Sequence, residues 1–119
     1  MAERRLQVEQ IGDVTVVRFT IYNVLDEATA HLVGRELFEL VEEDGHRQML
    51  LNLAAVEFLT STALGKLVTL HKKLRSRGGK LKICGVPPKI RVVFQITKLD
   101  TVFDLFEDEA AGLIAFAKE

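Results

Sequence analysis

Polar and apolar residues alternate from Leu6 to Glu9, which predicts a half-exposed strand. Gly12 and Asp13 mark a turn. Val14-Thr15-Val16-Val17-Arg18-Phe19 is rich in β-branched side chains and predicts a second strand, returning antiparallel to the first. After a loop from Thr20 to Leu25 the period lengthens. Val33, Leu37, Leu40 and Val41 fall on one helical stripe, and Glu36, Glu39, Glu42 and Glu43 lie largely away from it. This predicts a helix capped by Asp26, running to about Asp44 and stopped by Gly45. Met49-Leu50-Leu51-Asn52-Leu53 is nearly continuous in apolar character, as an interior strand covered on both faces should be.

The helical period resumes near Ser61 with Leu64, Leu67, Leu70 and Leu74, and Gly78-Gly79 ends it. Lys72, Lys73, Arg75 and Arg77 crowd its last turns, where positive charge suits the helix dipole. Lys80 to Cys84 alternates as a strand, and Pro87-Pro88 opens a helix carrying Ile90, Val93, Phe94 and Thr97 on one side. Val102-Phe103 predicts a minimal strand. Glu107-Asp108-Glu109 supplies an acidic first turn to a last helix with Ala110, Leu113, Ile114 and Ala117. The order is β-β-α-β-α-β-α-β-α. This predicts an α/β fold whose mixed sheet is parallel after the first hairpin, with its strand C-termini and helix N-termini gathered at one edge.

The 119 residues suit one domain, 1–119, with 48% hydrophobic and 28% charged residues arguing against disorder. A net charge of −1 gives no case for a nucleic-acid or membrane-surface partner. A single cysteine, Cys84, excludes an internal disulfide framework. No apolar run approaches the ~20 residues of a membrane helix, and Met1-Ala2-Glu3-Arg4-Arg5 leads into no signal-like stretch. The expectation is a soluble cytoplasmic protein.

The most informative stretch is Thr60-Ser61-Thr62-Ala63-Leu64-Gly65, a hydroxyl triplet at the start of a helix. Its structural reading is N-capping by Thr60 or Ser61, which stabilises a helix by ~1 kcal/mol. Its functional reading is a phosphate-accepting hydroxyl, since a helix N-terminus favours anions and a phosphate there adds up to about −2 charge to the surrounding surface. The two are compatible in one serine.

Together with Asn52-Leu53-Ala54, this stretch resembles the signature of the STAS domain family, the anti-sigma factor antagonists. That signature reads Asp-Leu-Ser, apolar residues, then Asp-Ser-Ser-Gly-Leu-Gly. The second strand, Leu25-Asp26-Glu27-Ala28-Thr29, Arg77-Gly78-Gly79-Lys80-Leu81 and Leu99-Asp100-Thr101-Val102-Phe103 also follow the family's pattern, so the resemblance spans nearly the whole chain. It implies a STAS-like single domain that acts as a protein-binding switch rather than an enzyme, with no cofactor. The implied partner is an anti-sigma factor, often a serine kinase, with a serine phosphatase restoring the unphosphorylated form. The chain itself is expected to be a monomer or weak homodimer.

Ser61 aligns with the family's acceptor, with Thr62 as second choice. Asp26, Ile21, Tyr22, Asn23, Thr60, Ala63 and Leu64 align with or flank its partner-facing surface. Three departures stand out: Thr60 and Asn52 replace acids, and Ala63 replaces a glycine. Loss of two carboxylates removes negative charge expected beside the acceptor. That change favours one alternative to the switch, a constitutive scaffold in a signalling assembly; a second alternative is a module that senses nucleotides or other anions at the helix N-terminus.

Other constellations fail on spacing. His31, His46, His71 and Cys84 lack a metal-ligand pattern. Cys84, near a strand end, fits a small core residue. Lys72 to Arg77 is interleaved at helical spacing and lacks stacking aromatics, as a solvated helix face does. A Ser61-His71-Asp26 hydrolase fails because ten helical residues separate serine from histidine by about 15 Å.

Overall fold

The computed structural model describes residues 6–19, 24–25 and 27–119. Its elements are β1 (Leu6–Ile11), β2 (Val14–Phe19), β3 (Val24–Leu25), α1 (Glu27–Glu42), β4 (Gln48–Asn52), β5 (Phe58–Leu59), α2 (Ser61–Ser76), β6 (Lys80–Cys84), α3 (Pro88–Ile96), a 3₁₀ turn (Leu99–Thr101), β7 (Asp104–Phe106) and α4 (Glu109–Ala117). The main sheet runs β1-β2-β4-β6-β7, antiparallel between β1 and β2 and parallel elsewhere. This is the expected mixed α/β sheet.

Two features depart from the expected order. β3 and β5 pair as a separate two-residue parallel ladder, Val24 with Phe58 and Leu25 with Leu59. Strands so short carry no readable periodicity. The last strand lies at Asp104–Phe106 rather than Val102-Phe103, because the 3₁₀ turn occupies Leu99–Thr101 and carries the chain two residues further before pairing begins. Phe103 is buried all the same and meets Phe94, with ring centroids 5.8 Å apart.

Strand alternation divides the core in two. Val17 and Phe19, Met49 and Leu51, and Leu81 and Ile83 face α1, α2 and α3, joined by Leu37, Val41, Leu67, Leu70, Leu74, Ile90 and Phe94. Val16, Leu50 and Cys84 face the opposite side and meet Phe116 of α4. Met49, Leu50 and Leu51 are therefore sealed on both faces, as their apolar run predicts. Gly112 lets α4 sit directly on β4, since a Cβ there would stand 2.6 Å from Leu50 Cδ1. In β1, the edge strand, Leu6 is buried while Val8 is exposed.

α1 and α2 pack side by side. Phe38 of α1 lies under the ammonium groups of Lys66 and Lys73, 5.8 and 5.2 Å from its ring centroid, and Lys73 also pairs with Glu42. Gly78, at φ +76°, turns the chain out of α2, and Gly79 N–H closes the helix on Leu74 O at 2.7 Å.

Candidate functional site

α2 begins at Ser61 because Thr60 stops the preceding strand and caps the helix. Thr60 is extended (φ −80°, ψ 166°), and its Oγ1 accepts from Ala63 N at 3.2 Å while its carbonyl accepts from Leu64 N at 3.0 Å. These two bonds satisfy the third and fourth amides of the helix. The amides of Ser61 and Thr62 are left with no intrahelical acceptor. The structural reading of the triplet thus belongs to Thr60, and Ser61 is free of the capping task.

Ser61 is exposed and Thr62 is partly so. Ala63 and Leu64 are 3% and 9% exposed and belong to the core under α2. Their side chains seat the helix and offer no surface to a partner, contrary to the expectation for them. Thr60 is half-buried. Ile21, Tyr22, Asn23 and Asp26 lie outside the described residues. The site in view is therefore an exposed hydroxyl at the positive end of a 16-residue helix, anchored from below by buried leucines.

Asn52 does not share that site. It is in register with Leu50, whose side of the sheet faces α4, whereas α2 packs on the other face with Met49 and Leu51. Asn52 Nδ2 donates to Glu109 Oε2 at 2.6 Å, and its Oδ1 accepts from Ala54 N at 2.8 Å. The amide at this position therefore helps to seat α4 on the sheet.

The α4 side of the sheet holds two charged clusters that sequence patterning missed. Arg18 donates from Nε and Nη2 to the two Glu109 oxygens, each at 2.6 Å, and from Nη1 to Glu9 at 2.8 Å. The Arg18 bonds hold the Glu109 carboxyl below the usual carboxylate range against the opposing effect of burial. Lys82 is 3% exposed, and its ammonium pairs with Glu119 at 2.5 Å and Asp104 at 3.2 Å. It also stands over the Phe116 and Phe106 rings. Burial pulls the Lys82 pKa down, but the two carboxylates more than offset it and the net direction is upward. Partners 91 residues apart, such as Arg18 and Glu109, leave no mark in local periodicity. Cys84 is buried, and burial pushes its thiol up to about 12, away from nucleophilic chemistry.

Among the described residues no group of three His, Cys, Asp or Glu side chains is placed to hold a metal ion, and no helix is long and apolar enough to cross a membrane. A cleft of about 500 Å³ lies between α1 and α2, lined by His31, Arg35, Phe38, Glu39, Glu42, Glu43 and Lys66. Ser61 and Thr62 are not part of its wall.

Comparison with known proteins joins these observations. The STAS domain profile matches residues 5–112. The chain is 22% identical to the anti-sigma F factor antagonist of Paenibacillus polymyxa over 109 residues, 92% of each chain. It superposes with a TM-score of 0.85 on an anti-sigma-factor antagonist (STAS) domain protein from Planctomyces limnophilus, at 25% identity and covering 96% of this chain and 98% of that one. An anti-sigma factor antagonist from Mycobacterium paratuberculosis superposes with a TM-score of 0.82 at 27% identity, covering 92% and 91%.

Proposed function

The chain belongs to the STAS domain family, and from that premise we propose that it acts as an anti-sigma factor antagonist, docking on an anti-sigma factor of the serine-kinase type and released by phosphorylation of Ser61. The relatives it matches are regulatory proteins rather than enzymes. The observation that carries the reading is the division of labour at the start of α2. Thr60 caps the helix, and Ser61 presents an exposed hydroxyl at its first residue.

The chemistry is a phosphoryl transfer supplied by the partner. The Ser61 oxygen forms a bond to the γ-phosphorus of ATP, the bond from that phosphorus to the β-phosphate bridge breaks, ADP leaves, and the kinase takes the hydroxyl proton. The product is stable on this protein, because the helix dipole and the Ser61 and Thr62 amides favour an anion there. The same anion puts ~−2 charge on the docking face, which displaces a partner fitted to a neutral hydroxyl. A serine phosphatase restores docking by hydrolysing the phosphoester.

The test is incubation with each serine-kinase anti-sigma factor of the source genome and ATP, followed by peptide mass mapping. One phosphate on Ser61 is expected. A protein that remains unmodified at Ser61 and Thr62 contradicts the switch. Thr60, which stands where the family has an acid, favours a second reading, a constitutive scaffold that no kinase recognises. That reading predicts that Ser61→Asp binds its partner as wild type does.

A further inference from the structure

Among the described α-helices, α3 is the one that carries cations in its first turn. α1 and α4 open on Glu27 and Glu109, and α2 closes on Lys73 and Arg75, all of which complement the helix dipole. α3 carries Lys89 and Arg91 as its second and fourth residues, has no acid in its first turn and has no base in its last. Cations at a helix N-terminus are unfavourable. Among the described residues neither of them, nor Lys98 just past the helix, is relieved by an ion pair.

Val92 and Ile96 stand between these charges, one turn apart on the side opposite the buried Ile90 and Phe94. They are 50% and 74% exposed. β5 packs beside α3, and its Phe58, three residues before Ser61, is 53% exposed. An apolar centre with an unpaired cationic rim is unfavourable in the isolated chain on two counts, exposed apolar area and misplaced charge. Both are relieved by the same kind of ligand.

We propose that this face, Val92 and Ile96 rimmed by Lys89, Arg91 and Lys98 with Phe58 on the neighbouring strand, docks an acidic amphipathic helix of the anti-sigma factor. Apolar side chains at helical spacing on that segment cover Val92 and Ile96, and its carboxylates meet the rim. The inference rests on the function proposed above and extends its contact surface from the Ser61 end of α2 across β5 to α3.

The experiment compares two variants with wild type by calorimetry against the purified serine-kinase anti-sigma factor. Val92→Ser/Ile96→Ser removes the apolar centre, and Lys89→Glu/Arg91→Glu reverses the rim. Both positions pairs face outward or lie on the helix flank, and the charge variant complements the dipole. Its melting temperature is expected to equal or exceed that of wild type. Each variant is expected to weaken binding by tenfold or more, and the charge variant to flatten the dependence of affinity on salt. Affinity within twofold of wild type for either variant overturns the inference.

Flotation with vesicles of phosphatidylglycerol and phosphatidylcholine, and sedimentation of the chain alone, supply two further arms. If the variants abolish vesicle binding or self-association and leave anti-sigma binding intact, a membrane or a second copy is the occupant and the inference falls. Wild-type protein that binds no anti-sigma kinase overturns the proposed function and this surface together. Binding that Ser61→Asp abolishes but the α3 variants leave unchanged overturns this surface alone.

Discussion

Asn52 gives its amide to Glu109 at 2.6 Å, and that bond accounts for an amide where the family pattern has an acid. With Asn52→Asp, two carboxylates would face each other in a half-buried site, one of them already held ionised by Arg18. The variant is expected to lose about 1–3 kcal/mol at neutral pH, the cost of an unsatisfied buried partner. The loss shrinks as pH falls through the raised pKa of the new carboxyl pair, because one proton relieves the repulsion; urea melts at pH 7 and pH 5 check both. Gly65 presents the opposite case. A Cβ there meets nothing within 4 Å, and its φ is not in the left-handed range. Gly65→Ala is expected to stabilise the fold by about 1 kcal/mol from helix propensity, seen as a higher urea midpoint with an unchanged slope. The identity of neither neighbour is legible locally. Asn52 reads from sequence as part of the acceptor site, and only the alternation of β4 shows that it points to the other face.

Helices α2 and α4 are seated by different means. α2 rests on leucines at helical spacing, so its start, its stop and its buried face follow directly from the pattern Leu64, Leu67, Leu70, Leu74 and Gly78-Gly79. α4 is capped by Asp108, whose side chain accepts from Ala111 N at 2.9 Å, and is pinned to the sheet by Glu109 and Arg18. Because the folded Glu109 pKa lies below its unfolded value, its contribution is complete above about pH 4.3. The contribution is lost as pH falls through the lower, folded pKa. Glu109→Gln is expected to be less stable than wild type by about 1.5–3 kcal/mol at pH 7, the range for hydrogen bonds to charged groups. The gap between the two should close in acid, as denaturant melts from pH 7 to pH 3 would show. Ser61→Asp belongs to the same scale. A carboxylate at the first residue of α2 favours the helix by about 0.3–1 kcal/mol, so the variant should melt no lower than wild type. Any loss of binding it causes then reports on the surface rather than on folding.

The molecule as a whole divides its two sheet faces. α1, α2 and α3 cover one face and place the Ser61 hydroxyl and the α3 surface, and α4 closes the other through Phe116 and a set of ion pairs. The type and chain order of most elements follow from periodicity, because each main strand and helix repeats its pattern for five or more residues, β7 excepted, whereas the β1-β2-β4-β6-β7 order of the sheet is seen only in the structure. The β3–β5 ladder and the displaced β7 do not follow from periodicity, since two or three residues hold no period and their pairing is set by distant chain. The account of function turns on whether charge at Ser61 controls docking. The direct measurement is the affinity of the purified anti-sigma factor for this protein, unmodified and with phosphoserine incorporated at position 61. The account predicts tight binding of the first and at least a hundredfold weaker binding of the second, with both forms equally folded. Equal affinity for the two forms would contradict it.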